Sequence, residues 1–299
     1  MNVHASPDPA HALTPSGNLR RRMVTSRAVV AVTVLAAALA VSVLFIIVYF
    51  VAQRGASQIS VAFFIRQLPL VSYGKVTGGI GPAIAGSVEI VLLSTLIALP
   101  AGVLTAIYLT EFAGARVAAP IQTALELLAG LPTIIAGIFV AGLLVAHYGQ
   151  SAYAAGLALS IVQVPLIART SIESIRRVPA SLREAADALG IARWRAITGV
   201  VLPTAAGGIV TATILAIARA AGETAPVLFT SSAFGTPYQL NPNQQVPNLP
   251  VEIYNLANSL NPTAVSDAWG AAFLLICLIL LANIGARLWL RRSERKRGL

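Results

Sequence analysis

The residues best suited to chemistry in this sequence are Arg219 and Glu223, four positions apart in the stretch IARAAGETAPVLFT, Ile217 to Thr230. That spacing puts both side chains on one face of a helix, where they can pair. A guanidinium stays charged at any relevant pH, and its planar fork of donors matches the oxygens of a phosphate-like anion. Two roles are open. Arg219 meets an anion while Glu223 orients it or accepts a hydrogen bond, or the two form an ion pair that locks helices together. Gly222 and Pro226 flank the pair and can loosen a helix so that backbone groups face a cavity. Arg169, in PLIART, is the second cation in apolar surroundings. It is either a further step on an anion path or a side chain that snorkels to an interface. Glu89 and Glu126 also lie in apolar stretches, carry no motif, and read as helix-packing or helix-end positions.

These charges stand out because the rest of the chain is apolar. Of 299 residues, 57% are hydrophobic and 11% charged, with a mean hydropathy of +0.78, whereas soluble domains carry about 25% charged residues. The expected fold class is all-α integral membrane: a six-helix transmembrane bundle. Its spans run from about Ala28 to Val51, Ala83 to Thr110, Ile121 to Ala146, Ala152 to Ser171, Thr204 to Ser231 and Ala268 to Leu290. Each is long enough to cross about 30 Å of hydrocarbon, and a helix satisfies the backbone hydrogen bonds that lipid cannot. Arg20, Arg21 and Arg22 before the first span give it the outline of a signal peptide. The run is longer than an ordinary h-region and no small-residue cleavage site follows, so it reads as a retained helix. Arg219 lies about 15 residues, or about 22 Å, beyond Thr204, close to the bilayer middle. A lipid-facing Arg there costs at least about 2.5 to 3.5 kcal/mol, so it must face the bundle or a cavity.

The net charge of +10 is mostly topology. Sixteen of the 21 Lys and Arg fall on the side of the termini, three fall on the other (Arg54, Arg66, Lys75), and Arg169 and Arg219 lie within spans. The positive-inside rule puts both termini in the cytoplasm of a multi-pass inner-membrane protein, and nucleic acid is not a partner this charge implies. Residues 1–24 are expected to be a cytoplasmic tail, disordered for lack of apolar content, in which His4 and His11 are solvated. Residues 25–299 are the transmembrane domain, with a cytoplasmic segment at 176–203 and an extracytoplasmic loop at 232–267. Within that loop Leu249 to Leu260 can form a short interfacial helix. Cys277 is a lone packing residue, so no disulfide framework or cysteine metal motif is present. Gly74 and Lys75 are followed by Val76 and Thr77, which is no P-loop, and Gly78, Gly79 and Gly81 lack dinucleotide spacing.

The cytoplasmic segment RRVPASLREAADALGIARWRAITGVVLP is amphipathic. Pro179 and Ser181 read as a helix start, with Glu184 completing a capping box. Leu182, Ala185, Ala186 and Leu189 share one apolar face, Arg183 and Asp187 point elsewhere, and Gly190 ends or bends the helix. The run Glu184, Ala185, Ala186, three residues, Gly190, nine residues, Val200, Val201, Leu202, Pro203 resembles the EAA loop of bacterial ABC importer permeases, which has Ile where this chain has Val200. The resemblance implies a type I importer fold with a coupling helix. Glu184, Ala185, Ala186, Leu189 and Gly190 would then seat in a separate ATPase that uses ATP and Mg, this chain binding no cofactor or metal and having no catalytic residue of its own.

The motif ARxxGETAPxLFT, with PLIARTSIESIRRVPASLREAADALG and NLPVEIYNLA, resembles the PstA family of phosphate-specific ABC importer permeases from about Gly78 to the C-terminus. Ala225, Pro226 and the run Leu228, Phe229, Thr230 set it apart from the sister PstC family. The resemblance implies a substrate pathway lined by Arg219, Glu223, Arg169 and Thr224. It also implies a PstC-like permease, a PstB-like ATPase dimer, a PstS-like phosphate-binding protein and membrane lipid as partners. The rival readings are the same fold importing sulfate, molybdate or phosphonate, and a secondary anion transporter working without ATP. The docking motif argues against the second of these. A membrane enzyme would need a nucleophile and base or a metal cluster at one depth, and His147, near an outer end, has no Cys/His set around it.

Overall fold

The computed structural model describes residues 19–66 and 79–296. The residues 1–18 of the expected tail, with His4 and His11, and the Gly74–Gly78 stretch lie outside the described residues. The chain divides into two compact units, residues 1–52 and 53–299. Described residues of the first unit belong to α1, Leu19–Gly55, which starts within the stretch expected as tail.

In the second unit, α2 (Val61–Ile65) is capped by Ser60, whose hydroxyl accepts from the Phe63 N–H at 3.2 Å. Helix α3 (Gly81–Ile107) closes in a wide π turn, Tyr108–Phe112. Then come α4 (Ala115–Gly130) and α5 (Thr133–Val140), the latter running through a π turn into α6 (Ala146–Tyr148). Helix α7 (Ala152–Arg176) is capped by Ser151. Two short helices, α8 (Ala180–Ala188) and α9 (Arg193–Ala196), lead through the π turn Ile197–Val201 into α10 (Leu202–Ala221). Pro203 supplies no N–H, and its ring crowds the carbonyl of Gly199, which is where the turn widens. After α11 (Ala225–Thr230) and α12 (Leu249–Ala257) the chain ends in α13 (Pro262–Lys296).

Five helical stretches among the described residues are long and apolar enough to cross a membrane, and a sixth crossing requires α4 and α5 to act together. The expected continuous span from Ile121 to Ala146 is therefore corrected: the two helices meet at 96°. The cause is Pro132, which has no N–H for the helix and holds Leu131 extended at φ −71°, ψ 131°. The expected capping box at Ser181 is also corrected. Helix α8 begins at Ala180 after Pro179, no side chain caps it, and Ser181 already lies inside the first turn. The short helix in the loop ends at Ala257 rather than Leu260, and α13 begins at Pro262, before Ala268.

The core of the second unit is the long contact between α3 and α7, with α10 packed on α7. Small residues let the backbones close up: a Cβ at Gly102 would meet Ile167 Cγ2 at 2.8 Å, and one at Gly156 would meet Leu93 Cβ at 2.9 Å. This is how helices associate where lipid gives no hydrophobic drive. One polar contact is buried in the seam, where Gln163 Nε2 donates to Ser94 Oγ at 2.7 Å.

Candidate functional site

Arg219 sits in the last turn of α10, because the helix stops at Ala221 instead of running on to Ser231. Gly222 caps the helix at φ −99°, ψ −4°, Thr224 precedes α11, and Pro226 is the second residue of that helix. The break lets Glu223 fold back on the arginine: Nε of Arg219 donates to Oε1 of Glu223 at 3.3 Å. The arginine side chain is 53% exposed and the glutamate 19%. Nη1 and Nη2 of Arg219 have no partner among the described residues, so the outer edge of the fork is open to an anion while Glu223 holds the inner edge. Glu223 also borders a small cavity with Ser87, Asn248 and Pro250, which places the pair beside the N-terminus of α12. The sequence suggested a continuous span through the pair; the structure instead ends α10 two residues after Arg219, which releases backbone groups beside the pair.

Arg169 does not join this pair. It lies on α7 with its Nη2 3.9 Å from Oε1 of Glu126 on α4, in a cavity of about 240 Å³ shared with Gln122, Glu173 and Arg176. Glu126, read from sequence as a helix-packing or helix-end position, is thus an acidic neighbour of Arg169. Glu89, on α3, has one carboxylate oxygen buried without a partner among the described residues.

At the opposite end of α10 the docking motif forms a compact turn. Gly190, at φ +66°, ends α8, with the Gly190 N–H donating to Asp187 O and the Ile191 N–H to Ala186 O. Only the left-handed region gives this turn, and glycine enters it without a Cβ clash. Of the four residues expected to share an apolar face, Ala186 is buried within this chain, whereas Leu182, Ala185 and Leu189 are exposed, Leu189 at 77%. Arg183, expected to point elsewhere, turns inward to Glu111 at 3.0 Å. Glu111 was missed in the sequence because it reads as the polar end of a span.

Fold and site together define a multi-pass helical membrane protein, built around a charged helix break and a short amphipathic helix whose apolar residues are exposed. The family described as binding-protein-dependent transport system inner membrane component matches residues 98–298. The phosphate transport system permease protein PstA of Yersinia pestis is 37% identical over 236 residues, covering 78% of this chain and 79% of its own. PstA 1 of Mycobacterium tuberculosis is 35% identical over 227 residues, 74% of this chain and 73% of its own. The chain belongs to this family, and within it to the PstA permeases. A bacterial alginate ABC transporter structure is similar in fold at a TM-score of 0.64 and 16% identity, covering 92% of this chain and 98% of the other. The MetNI methionine ABC transporter follows at 0.57 and 21%, over 72% and 94%.

Proposed function

We propose that this chain is the membrane-spanning permease subunit of an ATP-driven importer that moves inorganic phosphate across the cytoplasmic membrane. The observation that carries the reading is the Arg219 fork, held on one edge by Glu223 and open on the other, in a chain whose relatives are named phosphate permeases. An open guanidinium at a helix break is suited to a tetrahedral oxyanion, with Thr224, next to Glu223 in the chain, as a further ligand and Arg169 a second station on α7. The exposed Leu182, Ala185 and Leu189 suit docking in the groove of a PstB-like ATPase dimer, which would bind ATP and Mg. A PstC-like permease would complete the path, a PstS-like binding protein would deliver phosphate from outside, and both termini would be cytoplasmic.

The test is uptake of labelled phosphate by the assembled complex in liposomes, with sulfate and molybdate as competitors. ATP-dependent uptake that only phosphate competes supports the reading. Uptake of phosphate by this chain alone, at the rate of the complex, would overturn it, and preference for sulfate or molybdate would reassign the anion.

A further inference from the structure

Helix α8 is joined to α7 by the three residues Arg177 to Pro179, and to α10 through α9. Any push on α8 therefore reaches α7 and α10 through the chain itself. Helix α3 has no such covalent route. The end of α3 lies against the end of α7 in an apolar cluster that includes Leu109, Ile175, Val178 and Val201, and into it α8 sends one charged side chain.

Arg183 Nη2 donates to Glu111 Oε1 at 3.0 Å and Nε to the same oxygen at 3.3 Å. Nη1 donates to the Val178 carbonyl at 2.8 Å, and Nη2 also to the Ile175 carbonyl at 2.9 Å. Glu111 is 7% exposed and stands in the π turn that closes α3, and Arg183 is 30% exposed. Ile175 and Val178 flank the C-terminus of α7, where helical carbonyl partners run out; the Ile175 carbonyl already accepts from the Val178 N–H at 3.2 Å. One planar group thus bridges the end of α7 and the carboxylate that closes α3 while rooted in α8. A lysine, with its donors on a single nitrogen, cannot span both sites.

We propose that Arg183 is a positioning residue that ties the docking helix to α3, so that movement of α8 carries the ends of α3 and α7 together. The proposal rests on the permease reading above and adds to it a link the docking motif does not contain. Without the link, α8 still docks and nucleotide is still hydrolysed, but α3 no longer follows.

The experiment is the ratio of ATP hydrolysed to anion imported, measured in liposomes on the full complex carrying Arg183→Lys or Glu111→Gln, with assembly checked by size exclusion. The expected result is hydrolysis within about twofold of wild type and a ratio raised about tenfold, the effect of losing one charge-assisted hydrogen bond. An unchanged ratio overturns the proposal, whether both rates stay normal or fall in parallel. Failure of both variants to assemble also overturns it, because the contact would then serve folding alone. Sulfate and molybdate are offered beside phosphate. A wild-type complex that imports another anion corrects the proposed substrate, while its own ratio still tests Arg183.

Discussion

Arg219→Gln removes both the charge and the fork while leaving a shorter polar side chain. The structure sets the size of the effect. The pair is held by a single Nε contact of 3.3 Å, and the arginine is 53% exposed. An ion pair this open contributes about 0 to 1 kcal/mol, so its loss should change assembly by no more than about fivefold. If the pair were instead sealed from water as a structural lock, removing one partner would cost about 3 to 5 kcal/mol and the single variant would not assemble. Loss of the hydrogen bonds from a charged fork to an anion costs about 1.5 to 3 kcal/mol, a fall in uptake of about 10- to 150-fold. Arg219→Lys, which keeps the charge, should fall less. The assay is labelled phosphate uptake per assembled complex, with the double substitution Arg219→Gln, Glu223→Gln as the deciding case. A double variant that assembles and imports phosphate normally would refute the pathway role; one that assembles and does not import supports it.

Gly190→Pro should leave the subunit inserted yet uncouple hydrolysis from uptake, because proline fixes φ near −65° where the turn needs +66°. Glu184→Lys, on the exposed face of α8, should leave the thermal midpoint unchanged while lowering stimulated hydrolysis, and normal uptake in both variants would show the helix to be no docking element. Gly86→Ala would set a Cβ 2.0 Å from the Pro247 carbonyl oxygen, so the purified protein should lose about 1 to 3 kcal/mol, read as a lower Tm. Glu252, outside the membrane-spanning segments, is buried and accepts from the Gly235 N–H at 3.3 Å; burial raises its carboxyl from 4.5 to about 7, against the lowering effect of that hydrogen bond. A folded-state pKa above the unfolded one stabilises at low pH and is lost as pH rises through about 7. Proteolysis of the 231–248 segment should therefore quicken from pH 5 to 8, and Glu252→Gln should flatten that rise.

How much of this was legible in the sequence depends on whether the signal was local. Hydrophobic length placed the spans, and the four-residue spacing of Arg219 and Glu223 gave their pairing, because both signals are local in the chain; the pairing survives although Glu223 lies past the end of α10. The flanking Gly222 and Pro226 correctly marked a weak point there. Pro132 carried an equally local signal, yet the apolar run on either side of it masked the break. Arg183 with Glu111 and Arg169 with Glu126 were not legible, since each joins residues far apart in the chain. No periodicity reports which turn of one helix meets another. On α8 the exposed apolar residues Leu182, Ala185 and Leu189 follow from their helical spacing, whereas the inward turn of Arg183 depends on a carboxylate that only the tertiary fold brings near.

The bond from Gln163 to Ser94 has a mechanical consequence. Water is not at hand in the hydrocarbon to replace it, so sliding α3 along α7 by one turn, about 5.4 Å, would strand an amide and cost about 0.6 to 2 kcal/mol. Ile167 filling the notch at Gly102 and Leu93 filling the one at Gly156 oppose the same displacement. Rocking the two helices as one rod breaks none of these contacts. Whatever strokes this subunit makes, the α3–α7 seam behaves as a keyed shaft, free to tilt and barred from telescoping.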